Sequence, residues 1–82
     1  MTKLSLTLID NNDQIINKES HLLQSTDSKE FIEALVLLCS KMDIGVPLLT
    51  LIEVKTLNKN KEVIINDEEY EDKTLRISIE TV

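Results

Sequence analysis

The stretch from Thr26 to Gly45 constrains the fold most, because it is the one segment with a convincing helical period. Its apolar side chains recur at spacings of three and four residues, which places them on one helix face; they are Phe31, Ile32, Leu35, Leu38, Cys39 and Met42. Asp27 suits the N-cap position, with Thr26 as the alternative, and Glu30 predicts a capping box. Gly45 is expected in the left-handed conformation that ends a helix. We therefore predict a helix over 27–43.

Strand and turn patterns fill the rest of the chain. We predict strands at about 3–9, 15–23, 51–57, 62–65 and 75–80. The first and last show the clearest alternation of apolar and polar side chains, which is typical of strands with one buried face. Asp10–Asp13 has the composition of a hairpin turn. The second strand is expected at an edge, where Lys18 and Glu19 would oppose further pairing.

These elements follow the order β-β-α-β-β-β within one domain, residues 1–82. One helix has to cover one face of one sheet. The clean alternation of the first and last strands predicts that they lie together at the sheet centre, parallel to each other. The expected fold is therefore α+β, a β-grasp with one helix on a mixed sheet of four to five strands.

Several short passages fit this arrangement. They are Phe31-Ile32, Leu35-Val36-Leu37 and Met42-Asp43-Ile44 in the helix, then Ile52-Glu53-Val54, then Asp72-Lys73-Thr74-Leu75-Arg76-Ile77. In element order and in these passages the chain resembles the ubiquitin-like β-grasp proteins, and among them the small YukD-like proteins of bacterial type VII secretion loci. The resemblance implies a protein-binding accessory of a secretion or assembly machine. Since the sequence ends in Thr81-Val82 with no diglycine, we expect a module that is not conjugated to other proteins.

The charge and apolar content disfavour several kinds of partner. Nine basic and fifteen acidic side chains give a formal net charge of −6, whereas nucleic acids and anionic membranes attract positive surfaces. No apolar run reaches the length of a membrane span, and the N-terminus has no signal-peptide pattern. We therefore expect a cytoplasmic protein that binds neither nucleic acid nor membrane.

The residues able to do chemistry are few and scattered. Cys39 lies on the apolar helix face and is expected to be an inert core thiol. His21 has no neighbouring ligand or carboxylate in the sequence and is expected to be structural. Asp10–Asp13 lacks the glycine and ligand spacing of a calcium loop. Accordingly, we predict no catalytic residue, no metal site and no cofactor, and an enzyme is the least expected function.

Another protein is the expected partner, and two surfaces could bind it. The favoured one is apolar and consists of Leu37, Val46, Leu48 and Leu49. For Leu37 alone, the simpler interpretation is favoured over a partner contact: the side chain is covered by the apolar segment Ile44–Leu49 or is simply exposed, since single exposed leucines are common. The other surface is acidic and consists of Asp67, Glu68, Glu69, Tyr70, Glu71 and Asp72. It would suit a small acidic phage or mobile-element protein that inhibits a host nucleic-acid-binding enzyme, and a phage assembly component is a third possibility.

Overall fold

The computed structural model describes residues 1–25 and 27–82. Its elements are β1 Thr2–Ile9, β2 Ile15–Leu23, α1 Ser28–Met42, α2 Leu51–Asn60, β3 Glu62–Ile65 and β4 Thr74–Thr81, with a 3-10 turn Glu68–Tyr70 before β4. The strands form one sheet in the order β2-β1-β4-β3, and every neighbouring pair is antiparallel. The described residues thus form an α+β fold with two helices and a four-stranded antiparallel sheet.

One apolar core lies between the helices and one face of the sheet. The register aligns Leu6 with Ile77, and Ile77 with Val63, so these side chains point to the same side across three strands. Both helices contribute buried side chains to this cluster. Its best-buried members are Leu4, Leu6, Leu38, Cys39, Leu75 and Ile77. The small core is mostly aliphatic, since the sequence has one Phe and no Trp, and Tyr70 is its buried aromatic side chain.

Several predicted elements are confirmed. The strand predicted at 15–23 is β2, and it lies at a sheet edge. The first and last strands are adjacent at the sheet centre, as their alternation predicted. Asp27 caps α1 by accepting a hydrogen bond from the Lys29 backbone N–H at 3.0 Å. Thr26, the alternative cap, lies outside the described residues.

The predicted third strand at 51–57 is wrong, because this segment is helix α2. Thr50 caps it from an extended conformation, and its hydroxyl accepts a hydrogen bond from the Glu53 N–H at 3.2 Å. The Glu53 carboxylate accepts one in return from the Thr50 N–H at 2.8 Å. This reciprocal capping box satisfies two otherwise unpaired donors at the helix start. The element order is therefore β-β-α-α-β-β, with two helices in place of one.

The predicted parallel pairing of the first and last strands is also wrong, as is the mixed sheet that followed from it. Eight residues, 66–73, separate β3 from β4. They are too few for a crossover between parallel strands, so β4 runs antiparallel to β3. Because the helix α2 replaces the predicted third strand, β3 runs in the same direction as β1, and β4 is therefore antiparallel to β1 as well. The β-grasp arrangement is not confirmed by this topology.

Three details of the first helix differ from expectation. The left-handed residue at its end is Asp43, with φ 56° and ψ 45°, whereas Gly45 has no positive φ. The Glu30 carboxylate reaches past the N-cap and accepts from the backbone N–H groups of residues 24 and 25. Ile32 is exposed, while Ala34 takes a buried position. The buried face of α1 is therefore rotated toward Ala34 from the predicted stripe.

Among the described residues, no helix combines the length and apolar content needed to cross a membrane.

Candidate functional site

Among the described residues, the start of α2 carries the group of aliphatic side chains with the largest exposed fractions. Leu48 is 95% exposed, Leu51 70% and Ile52 76%. We call these three side chains the α2 apolar surface. They lie within five residues of each other because the chain turns into the helix at the Thr50 cap. Grouped exposed aliphatic side chains, unlike single ones, commonly mark a binding site.

The helical period explains why these side chains stay outside. Leu57 is the one residue of α2 that is buried. Positions 51, 52, 55 and 59 lie on the opposite side of the helix from Leu57. Two of these positions are Lys55 and Lys59, and neither has a carboxylate within ion-pair distance among the described residues. The outward face of α2 is therefore apolar at its start and basic toward its end.

The predicted apolar candidates fall into three environments. Val46 and Leu48 are exposed on either side of the buried Pro47, in the connection that leads to α2. Leu49 is half-buried and packs against the core. Leu37 is 42% exposed on the outer side of α1, a different element. The structure therefore joins Leu48, but not Leu37, to the α2 apolar surface.

The predicted acidic candidates form an ordered turn, residues 67–72, which we call the acidic turn. The Asp67 carboxylate accepts a hydrogen bond from the Glu69 N–H at 3.0 Å and caps the 3-10 turn. Asp67 is half-buried. The remaining carboxylates are exposed; they belong to Glu68, Glu69, Glu71 and Asp72. Of these four, Asp72 alone has an ion-pair partner within 4 Å among the described residues, Lys73 at 3.8 Å.

Tyr70 anchors the acidic turn and does not present a contact surface, since it is only 4% exposed. Its hydroxyl donates a hydrogen bond to the Gly45 carbonyl at 2.9 Å. Burial raises the pKa of Tyr70 to about 12, with smaller contributions from Cys39, Asp67 and Glu69. A Cβ at Gly45 would lie 2.7 Å from a carboxylate oxygen of Glu69. Because this oxygen ends a flexible and exposed side chain that could move aside, the Tyr70 hydrogen bond, and not the glycine, accounts for the place of the acidic turn beside the connection to α2.

A groove opens between the start of α1 and the side of α2. It has a volume of about 330 Å³. Its apolar lining comes from Leu23, Phe31, Val54, Leu57 and Ile79, and its rim includes Asp27, Asn58, Lys61 and Glu80. Val54 lies one helical turn from Leu51, so the groove adjoins the α2 apolar surface. An aliphatic side chain of a partner has room to enter it.

The chemically active residue types are placed structurally. Cys39 is fully buried, and burial raises the pKa of its thiol. His21 is half-buried on the helix-facing side of β2, opposite Leu4. The Asp10 carboxylate accepts hydrogen bonds from the N–H groups of residues 12 and 14, both at 2.9 Å, which is the geometry of a turn. Over residues 1–25 and 27–82 no group of His, Cys, Asp and Glu is arranged to hold a metal ion.

Sequence reasoning missed Leu51, Ile52 and their two lysine neighbours because it assigned them to a strand. The signal that could have found them is Thr50 followed by Glu53, the spacing of a capping box. With that signal, a helix would have been predicted over 51–60, and its outward face would have been identified as a candidate binding surface.

Comparison of the chain with protein-family models, with curated proteins and with solved structures finds no match.

Proposed function

We propose that this protein is a non-enzymatic interaction module that binds another protein through the α2 apolar surface. The observation that carries the proposal is the exposure of Leu48, Leu51 and Ile52 at the start of one helix. Leaving three such side chains in water forgoes the stabilisation that their burial would give. A partner that covers them recovers it.

The free energy available from burying these three side chains shows whether a partner must make further contacts. Fully burying an exposed Leu or Ile contributes about 1.5–3 kcal/mol. Three such side chains therefore supply several kcal/mol, while association costs about 4–15 kcal/mol in lost freedom and ordering. The apolar surface alone gives weak binding. Further contacts, from Lys55 and Lys59 or from the adjoining groove, are needed for a stable complex.

The capping box favours this surface for binding. It fixes the first turn of α2, where Leu51 and Ile52 lie, before any partner arrives. Holding contact residues in one conformation lowers the ordering cost of association. Leu48 precedes the cap and lies between the buried Pro47 and the half-buried Leu49, so its backbone is also held by packing on both sides.

A more specific version of this proposal is that the protein is related to the ubiquitin-like proteins and acts as an accessory of a bacterial secretion or assembly machine. The buried tyrosine in a short helical turn before the last strand supports it, since ubiquitin-like chains usually have such a passage. The antiparallel pairing of β1 and β4 counts against it, because a β-grasp sheet pairs these strands in parallel.

A second candidate function is the acidic inhibitor of a nucleic-acid-binding enzyme. The ordered acidic turn favours it, since the Asp67 cap and the Tyr70 anchor present the exposed carboxylates on a fixed backbone. Such a contact would be mainly electrostatic. It should weaken as salt rises, because exposed charges are screened within about 8–10 Å at moderate ionic strength.

Quantitative affinity capture from an extract of the native host tests both functions. Leu51→Ser/Ile52→Ser should abolish capture of the partner, and Leu37→Glu should leave it unchanged. The matched control is Ile15→Ser/Leu22→Ser, which alters two exposed aliphatic residues on β2, away from α2. Loss of capture in Glu68→Lys/Glu69→Lys alone, together with elution by salt, would reject the apolar site and favour the inhibitor.

A further inference from the structure

We propose that the α2 apolar surface binds a second copy of this chain in a two-fold symmetric dimer. In it, the two α2 helices lie antiparallel, and the basic end of each contacts the acidic turn of the other copy. This inference rests on the proposed function, because it names the partner of the same surface. It follows from the order in which acidic, apolar and basic groups are arranged along the molecule.

The acidic end of this arrangement is fixed by the Tyr70 hydrogen bond. That bond holds the acidic turn against Gly45, where the connection to α2 begins. Leu48 follows in the connection, and Leu51 and Ile52 follow in the first turn of α2. The α2 helix then carries the surface about 15 Å further, at 1.5 Å per residue.

The basic end lies on the outward face of the same helix. Lys55 is one turn beyond Leu51, and Lys59 is one turn beyond Lys55. Both are exposed. From the acidic turn beside Gly45 to the end of α2, the surface is therefore first acidic, then apolar and finally basic.

A surface of this kind is complementary to itself. A two-fold axis through its apolar centre places the same patch of both copies in contact, as in any isologous interface. The rotation brings each acidic end opposite the other copy's basic end, while Leu48, Leu51 and Ile52 of both copies cover each other. An antiparallel pair therefore gains the apolar contact and two charge contacts at once.

The charges concerned are available for contacts between copies. Over residues 1–25 and 27–82, Lys55 and Lys59 have no carboxylate within 4 Å, and Glu68 and Glu71 have no basic group within that distance. Forming the dimer therefore breaks no ion pair within a copy. Each copy has a net charge of −6, so the local complementarity has to fix the orientation against an overall repulsion.

The edge of β2 offers the other obvious route to a dimer, by strand addition. The helix-facing side of this strand carries Asn17, Glu19 and His21, all half-buried. Inward-pointing polar and charged side chains on an edge strand oppose the addition of another strand. The two routes predict different sensitive residues and can be told apart.

Sedimentation-velocity measurements on the full chain, over micromolar to millimolar concentration, test the dimer. The wild type should sediment as a reversible dimer. Two charge-reversal variants, Lys55→Glu/Lys59→Glu and Glu68→Lys/Glu71→Lys, should each raise the dissociation constant of the dimer by at least about tenfold. Each variant replaces attraction by repulsion at both ends of the interface. An equimolar mixture of the two variants should restore dimers, since their reversed charges complement each other.

The matched control is Lys18→Glu/Lys29→Glu, which has the same net charge as the first variant but reverses two exposed lysines elsewhere. It should dimerise like the wild type, and circular dichroism should show that every variant is folded. A wild type that stays monomeric, a mixture that does not re-form dimers, or a dimer broken by the β2 variant Ile15→Ser/Leu22→Ser would overturn the proposal. A monomeric wild type whose capture of another protein depends on Leu51 and Ile52 would overturn only the dimer and leave the proposed function standing.

Discussion

Removal of the capping box at the start of α2 should destabilise the whole protein measurably. Thr50→Ala removes the acceptor of the Glu53 N–H, and Glu53→Ala removes the acceptor of the Thr50 N–H. Losing an N-cap side chain costs about 1 kcal/mol. Because the two bonds form one reciprocal unit, the double variant should lose less than the sum of the single losses.

The expected shift in melting temperature follows from chain length. Unfolding entropy near 60 °C is about 2.1 cal/mol/K per residue, or about 170 cal/mol/K for 82 residues. A loss of about 1 kcal/mol therefore lowers the melting temperature by about 6 °C. Thermal unfolding followed by circular dichroism resolves a shift of this size, and urea unfolding gives the free energy independently.

A second substitution in the same segment distinguishes helix from strand by its sign. At a protein concentration low enough to keep the chain monomeric, Ile52→Ala should stabilise the protein by about 0.4 kcal/mol, since alanine is the better helix former and the isoleucine is mostly exposed. In a strand, the same change should destabilise by up to about 1 kcal/mol. Ile15→Ala is the matched control, because Ile15 is similarly exposed but lies in β2. If Ile52→Ala destabilises as Ile15→Ala does, and Thr50→Ala changes nothing, the helical assignment of 51–60 is refuted.

Three further outcomes are expected. Leu35→Ala should lower the free energy of unfolding by about 2–5 kcal/mol in urea titration, because Leu35 lies in the core; a loss well under 1 kcal/mol would mean that the buried face of α1 is misplaced. Tyr70, the only tyrosine, should show a phenolate absorbance midpoint near pH 12 in the folded protein and near pH 10 in urea. Its contribution to stability is therefore present below pH 10 and is lost between pH 10 and 12. A midpoint near pH 10 in the folded protein would contradict the burial of Tyr70. Calorimetric titration with calcium and zinc should show no sub-micromolar binding, whereas tight binding of either would overturn the interpretation of Asp10–Asp13 as a turn.

The sequence predicted the elements whose apolar side chains are buried. In β1, Leu4, Leu6 and Leu8 alternate and all lie in the core, so the period-two pattern identifies the core face, although Ser5 and Thr7 on the other face are buried as well. The same holds for most of the α1 stripe. Hydrophobic periodicity detects a secondary structure through the face that it buries, and in these elements that face is apolar.

α2 escaped prediction because it breaks this rule. Leu51 and Ile52 are apolar but exposed, and Leu57 is its one buried residue. The β-branched Ile52 and Val54 also favour a strand locally. Its capping box was the remaining signal. The exposure of apolar side chains, which makes this segment a candidate site, is thus also the reason why periodicity did not predict the helix.

The position of the acidic turn could not be predicted for a different reason. It depends on a hydrogen bond between Tyr70 and Gly45, which are 25 residues apart. No local pattern encodes such a pairing. The turn itself was predictable as a polar loop, but its attachment beside the α2 connection depends on the complete tertiary structure.

The pairing of β1 with β4 has a consequence for the order in which the protein can form. Thr2 pairs with Thr81, and the ladder continues residue by residue to Ile9 and Thr74. Of these four strands, β1 leaves the ribosome first and β4 leaves last, although the two are neighbours at the sheet centre. Until β4 emerges, β1 pairs only with β2, and this two-stranded hairpin depends on packing against α1 for stability in water. Contacts so distant in sequence slow folding, so the nascent chain should complete its sheet only after β4 has been released.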